Sequence, residues 1–331
     1  MAKDTERSQL ARSFHAPMES LPRTNRELRE CILALLSPPS SSSSTSSSPA
    51  GAAAEVSARI ADLDGSLYHI SGGGGSESAA IKLRLSFSLP RGSSAAADLA
   101  PHYVRSALSS CNAEQALSGV TAPAGSGQVH VDLVLDEASA EAAAETIAQL
   151  RARVMAAPID KELEAMASGA DAGDVMAVPF RDDDNGEELC VYIKRNKGSL
   201  TAVLPVSFAD SGDATIAAYF LQTFPETKRN FGGAPVVNFS RTAPLELKGV
   251  DRDVAANCGY VSVVVFPSHC ETPAQREEAA WRLLSLHSFI GFHIKASKAS
   301  VRKRSRCVNA SQGSVPVDAR LRSCFWGFGE L

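Results

Sequence analysis

Residues 59–71, RIADLDGSLYHIS, carry the choice between two folds. Asp62-Leu63-Asp64-Gly65 has the spacing of a phosphatase nucleophile loop, in which the first aspartate attacks phosphorus and the second handles the proton. That chemistry needs a buried parallel strand in front of the loop and a magnesium-holding acidic pair elsewhere. The same residues also read as a β-hairpin, because Asp64-Gly65 supplies the positive φ of a two-residue turn between short apolar runs. One reading leads to a parallel α/β enzyme and the other to an antiparallel sheet.

The flanks decide for the hairpin. Val56-Ser57-Ala58-Arg59-Ile60-Ala61 alternates and carries an arginine, where a parallel strand covered on both faces is uniformly apolar. After Gly65 the chain returns directly to a strand, and SGDATIAAY, the stretch that would have to supply the second acidic pair, has Ala217 where an acid is required. A two-residue turn on Asp64-Gly65 predicts an inner side made by Ala61, Leu63, Tyr68 and Ile70. A haloacid-dehalogenase-type phosphatase using Asp62 stays as the alternative function.

Outward from the hairpin, strands are expected at about 55–63, 66–71 and 79–89. In IKLRLSFSL the residues Ile81, Leu83, Leu85, Phe87 and Leu89 share one face, and Lys82, Arg84, Ser86 and Ser88 the other, so one face is wet and the sheet antiparallel. A helix around 95–110, a strand at QVHVDLVL and a helix from Ser139 to Ala167 follow. Further strands are expected in DVMAVPFR, EELCVYIK, SLTAVLPVSF, ATIAAYFLQTF, PVVNFSR and GYVSVVVFP, joined by turns short enough for a meander. The last element is a long helix that opens with Thr272 as N-cap, Pro273 at N1 and Gln275 closing a capping box. Leu283, Leu286, Ile290, Ile294 and Val301 run along one of its faces, which demands a packing partner. A helix followed by a hairpin on Asp64-Gly65, and again by one on Asn185-Gly186, hints at two similar units in tandem.

The fold class is therefore α+β: two tandem α/β units with antiparallel sheets plus a long C-terminal helix. The expected layout is a disordered N-terminus (1–23), a first unit (24–170) interrupted by a disordered Ser-rich insertion (37–54), a second sheet (171–270), the long helix (271–310) and a tail (311–331). The insertion SPPSSSSSTSSSPAG cannot repay the entropy of ordering.

The 331 residues, 44% of them hydrophobic but only 6% aromatic, suffice for two domains with sparse large core-formers. A formal charge of −4 argues against a dedicated nucleic-acid binder. The 7 cysteines are odd in number and scattered, without Cys-x-x-Cys or zinc-ligand spacing, and read as reduced thiols of a cytosolic protein. The N-terminus lacks an apolar h-region, so no secretory signal is expected, nor any membrane span. No metal or cofactor is implied. The acidic run RDDDNGEE (181–188) lacks EF-hand spacing and reads as a solvated turn. His69 and His130 on strands, and His287 and His293 on the last helix, read as packing or polar-face residues. The charge that needs a reason lies at the end of that helix: Lys295, Lys298, Arg302, Lys303, Arg304 and Arg306, with no acid from Phe289 to Arg306. A helix dipole rewards cations only in its last turn, at about 0.3–1 kcal/mol each, so an acidic partner surface is the functional reading.

The blocks ADLDGSLYHIS, RDDDNGEELCVYIKRNKGSLTAVLPVSF, FLQTFPETKR, PLELKG, NCGYVSVVVFP and HIKASKASVRKRSR, in this order, resemble the 34-kDa subunit (subunit 2) family of the actin-related protein 2/3 complex, from about Asn25 to Arg306. The resemblance implies two units similar to type III secretion chaperones, no catalysis and no cofactor. It implies pairing with the complex's 20-kDa subunit along the long helices, association with the other subunits, and a grip on the side of an actin filament during branched nucleation in the cytoplasm. Carried onto this chain, Leu283, Leu286, Ile290, Ile294 and Val301 face the partner subunit. Lys194, Arg195, Lys197, Lys228, Arg229, Lys295, Lys298, Arg302, Lys303 and Arg306 are the candidates for acidic actin. A stand-alone chaperone-like adaptor is the other alternative. The sequence departs from the family after Arg306, where Gly313 and Pro316 break the helix.

Overall fold

The computed structural model describes residues 21–36, 56–62, 66–74, 81–123, 127–135, 137–182, 188–228, 235–248, 250 and 254–311. The expectations for the serine tract, the acidic turn, the Phe325-Trp326 tail and most of the N-terminus fall outside this set.

Alternation along the chain builds the first sheet. Strands β1 (Val56–Ala61), β2 (Leu67–Gly74), β3 (Ile81–Ser88), β4 (Leu117–Thr121) and β5 (Gln128–Leu135) are antiparallel, in the order β1-β2-β3-β5-β4. Leu83, Leu85 and Phe87 of β3 and Val129, Val131, Leu133 and Leu135 of β5 are buried, while Lys82, Arg84, Gln128 and Val134 lie on the exposed outer face. The inner face is covered by α1 (Arg26–Leu36), α2 (Ser94–Ser110), α3 (Glu137–Ala148) and α4 (Leu150–Ala167). The single helix expected over Ser139–Ala167 is two, separated at Gln149, and the short β4 was not expected at all.

The opening hairpin forms, in a different register from the expected one. Ile60 pairs with Tyr68 and Ala61 with Leu67, and the Asp62 amide donates to the Ser66 carbonyl at 2.8 Å, so the connection is one residue longer than a two-residue turn. Leu63, Asp64 and Gly65 at its tip lie outside the described residues. Because side chains alternate, this shift turns Ala61 outward with Leu67 and brings Ile60 inward with Tyr68 and Ile70. Burying isoleucine beside tyrosine removes more apolar surface from water than burying alanine, which favours this register. Asp62 has the same parity as Ile60 and therefore sits on the core side.

The second sheet repeats the first. Strands β6 (Val175–Asp182), β7 (Glu188–Asn196), β8 (Ser199–Val206), β9 (Val236–Ser240) and β10 (Gly259–Val265) follow the order β6-β7-β8-β10-β9, again antiparallel throughout. Helix α5 (Ser211–Lys228) stands between β8 and β9, as α2 stands between β3 and β4. The expected meander holds only for β6 to β8. The stretch ATIAAYFLQTF, expected as a strand, is part of α5. Its Ile, Tyr and Phe content favours a strand, but the Asp210 carboxylate accepts the Asp213 amide at 2.8 Å and caps a helix. Ala217 and Leu221, four apart, are then fully buried, with Thr215, Tyr219 and Gln222 exposed.

Unlike the first, this sheet is covered on both faces. Val191, Ile193, Leu200, Ala202, Leu204, Val261 and Val263 face the helices, whereas Cys190, Tyr192, Val203 and Tyr260 pack beneath Leu247, Val250, Val254 and Ala256. That is why β7, β8 and β10 read as continuous apolar runs. The start of β10 lies against β9 so closely that a Cβ on Gly259 (φ +118°) would come within 2.7 Å of the Ser240 carbonyl. Helix α4 is the spine of the molecule. Its Ala156, Ala157, Ile159 and Leu163 are buried between α2 on one side and the second sheet and the last helix, α6 (Pro273–Ser311), on the other.

Candidate functional site

Helix α6 begins as its sequence dictates. The Gln275 amide donates to Thr272 Oγ1 at 3.2 Å and the Thr272 amide donates to Gln275 Oε1 at 3.1 Å, completing the capping box. The first turns are then tied to the first half of the chain. Arg276 Nε donates to Asp160 Oδ1 at 3.0 Å while the Tyr103 hydroxyl donates to Asp160 Oδ2 at 2.6 Å, joining α2, α4 and α6 through one carboxylate that is 4% exposed. Burial, reinforced by that carboxylate, pushes the Tyr103 phenol up, so it stays a donor. Arg153 meets Glu277 at 2.8 Å, and Trp281 Nε1 donates to the Leu21 carbonyl at 2.7 Å.

Further along, Leu283, Leu286, Ile290 and Ile294 are no more than 4% exposed and belong to the chain's own core. The stripe that demanded a packing partner is thus covered within its own chain, where α4, α5 and the second sheet lie against α6. Val301 continues the helix, but its side chain is not among those described. The face left free carries Phe292, 60% exposed, with Lys295, Ala296 and Ala299 beside it and Gly291, whose added Cβ would meet nothing within 4 Å.

Two histidines on α6 are packing pieces. The His287 ring lies between Phe180 and Phe208, with centroids 5.1 and 6.0 Å away, and burial pushes its pKa down to about 4. His293 sits among Phe289, Phe220 and Phe292, and burial lowers it as well. On the first sheet, His69 and His130 hydrogen-bond to Ser57 and Ser86.

The expected basic surface divides. Lys295 is exposed. Lys298, by contrast, lies 2.8 Å from Asp210 Oδ1 and 2.6 Å from Asp213 Oδ1 at the start of α5. Arg195 is likewise engaged, 2.6 Å from Glu162 Oε2 and donating to the Asp171 carbonyl at 2.9 Å. Lys194 is half-buried on the outer face of β7 opposite Thr201, and Lys197 is exposed in the β7–β8 turn, where Gly198 takes φ +77°. That turn precedes β8 and Asp210 follows it. The hairpin basics and Lys298 are thus separated by the length of an eight-residue strand, about 25 Å at ~3.3 Å per residue. Lys228 ends α5 and Arg302, Lys303 and Arg306 lie on α6, their side chains outside those described, as is Arg229 altogether.

Asp62 has a structural employment. Its carboxylate accepts from Arg151 Nη1 at 2.8 Å and from the Tyr68 hydroxyl at 3.2 Å, and Arg151 Nε also donates to the Ser88 carbonyl at 2.9 Å. The guanidinium is 5% exposed and the carboxylate 17%, so the pair pins the first hairpin to α4. Sequence reading missed Arg151, Glu162, Asp210 and Asp213. Only Asp210-x-x-Asp213 carried a local signal, as a helix cap.

Among the described residues no group of His, Cys, Asp or Glu could hold a metal ion, and no helix is long and apolar enough to cross a membrane. A family profile described as "Arp2/3 complex, 34 kD subunit p34-Arc" matches residues 106–311. The chain is 29% identical over 161 residues to actin-related protein 2/3 complex subunit 2 of Dictyostelium discoideum, covering 48% of this chain and 52% of that protein. It is 29% identical over 166 residues to subunit 2A of Arabidopsis thaliana, covering 48% and 50%, and 28% identical over 163 residues to subunit 2B, covering 48% and 43%. The chain spans about half the length of the curated relatives it matches.

Proposed function

Since the chain belongs to the Arp2/3 complex 34 kD subunit p34-Arc family, we propose that it is a non-catalytic scaffold subunit of such a complex, gripping the side of an actin filament during branched nucleation. The observation that carries this reading is the last helix. Its first half is buried in its own chain and ion-paired to α4, while its second half carries Lys295, Arg302, Lys303, Arg304 and Arg306 with no acid from Phe289 to Arg306. A rigid base bearing a one-signed strip suits a structural element that holds an acidic filament. The remaining subunits, the 20-kDa one among them, are its partners, and the cytoplasmic actin cytoskeleton is its place of work. With the core stripe taken, the 20-kDa subunit meets the opposite face around Gly291 and Phe292, where a missing side chain allows close helix approach. Lys194 and Lys197 stay as candidates for a separate, smaller filament contact.

Each exposed ion pair is worth about 0–1 kcal/mol, so the strip acts collectively and weakens with salt. The test is charge reversal at Lys295, Arg302, Lys303 and Arg306 in the assembled complex, read by co-sedimentation with actin filaments. Binding should fall about tenfold or more at low salt with the complex intact. Unchanged binding at low and moderate salt would overturn the filament-binding role.

A further inference from the structure

We propose that Lys298 is a positioning residue and not a filament contact: with Asp210 and Asp213 it forms a clamp that sets the direction of the basic end of α6. This rests on the filament-binding reading above and gives a different role to one residue of the basic set expected from the sequence.

The geometry is specific. Lys298 Nζ lies 2.8 Å from Asp210 Oδ1 and 2.6 Å from Asp213 Oδ1, two carboxylates in the loop and first turn of α5, 88 residues away in sequence from the lysine in the case of Asp210. The same Asp210 oxygen caps α5 by accepting the Asp213 amide, so one atom joins the start of α5 to the side of α6. The Lys298 and Asp213 side chains are only 21% and 17% exposed and that side of the clamp is shielded from water, while Asp210 is 57% exposed. A salt bridge that also completes a helix cap constrains two elements at once.

Charge decides against direct contact. One ammonium shared by two carboxylates leaves these three groups net negative, and the positive end of the α5 dipole offsets part of that charge. An acidic filament brought to this spot would have to strip Lys298 from both aspartates and would then face them itself. Lys298 therefore serves the filament-binding strip through α6 and not through its own ammonium.

Position along the helix says what the clamp controls. Ile294 is the last residue of α6 found in the described core, and Lys298 is one turn further on. Beyond it the helix continues to Ser311, a lever of about 20 Å at ~1.5 Å per residue that carries Arg302, Lys303, Arg304 and Arg306. A tilt of about 10° at the clamp moves the far end by about 3–4 Å, enough to break the register of several weak ion pairs together.

The experiment uses the assembled complex and filament co-sedimentation over a range of salt. Lys298→Met and the double change Asp210→Asn with Asp213→Asn should each weaken binding by about three- to fivefold, the combined triple variant no further, and the slope of binding against salt should stay that of the parent. Lys298→Glu with Asp213→Lys, which restores an opposed pair, should recover some of the loss. If Lys298 instead touches the filament, Lys298→Met lowers the salt slope, while removing the aspartates leaves binding unchanged or improves it; either result overturns the clamp. Charge reversal at Arg302, Lys303 and Arg306 serves as the control. If that variant binds normally, the filament-binding reading fails; if it loses binding while the clamp variants do not, only the clamp fails. Circular dichroism of the chain keeps a folding defect apart from either outcome.

Discussion

Removing the Asp62 carboxylate tests whether the hairpin that opens the first sheet is pinned or catalytic. In Asp62→Ala the Arg151 guanidinium, 5% exposed, keeps the Ser88 carbonyl but loses the Asp62 carboxylate, and the Tyr68 hydroxyl loses its bond to that carboxylate. Breaking a buried pair by deleting one partner costs about 3–5 kcal/mol, because an uncompensated charge stays inside. Asp62 is partly open, so the lower end applies, about 3 kcal/mol. For a cooperative unit of 150–250 residues that is a fall of roughly 10 °C in Tm, at about 2–4 °C per kcal/mol. Differential scanning fluorimetry of the expressed chain reads the shift. The double variant Asp62→Ala with Arg151→Met should recover half or more of the loss, since no buried charge remains unpaired. A Tm change under about 2 °C in Asp62→Ala, or strictly additive effects in the double variant, would refute the pairing.

Three further outcomes follow from the same structure. His287 is held neutral down to about pH 4 by its two phenylalanines, while the unfolded chain takes up the proton near pH 6.5; stability is fully present above pH 6.5 and declines by up to about 3 kcal/mol as pH falls to 4. His287→Gln should flatten urea midpoints across that window. Thr272→Ala removes the acceptor for the Gln275 amide and should cost about 1 kcal/mol in the same melts, with Thr272→Ser close to the parent. Gly291→Leu places its Cβ where nothing lies within 4 Å and gains helix propensity, so it should raise or preserve Tm in the isolated protein. Introduced in cells, it should reduce co-purification of partner subunits if the free face of α6 is where they dock.

What the sequence yielded was mostly local. The capping box of α6, the alternation of β3 and the core stripe Leu283 to Ile294 are patterns within a few turns, and the structure carries each of them as packing or hydrogen bonds. Helix α5 was misread because Ile216, Tyr219 and Phe220 favour strands individually, while the deciding cap at Asp210 is a single hydrogen bond. The register of the first hairpin depends on a core completed by helices far along the chain, α4 among them. The site was less legible than the fold for the same reason. Basic residues announce charge, but whether that charge is free depends on partners far along the chain, 88 residues for Lys298 and 33 for Arg195. The apolar stripe likewise announces burial without saying whether the covering surface belongs to the same chain. Here it does, so the face open to a partner is the one whose Gly291 and Ala296 gave no apolar signal.

Membership in a working assembly is tested most directly by affinity purification of the tagged full chain from its own cells, with subunits identified and counted by mass spectrometry. Co-purification of actin-related proteins and the other subunits in equal amounts, in a particle that sediments with actin filaments, is the expected result. Recovery of the chain as a stable monomer without them would contradict it.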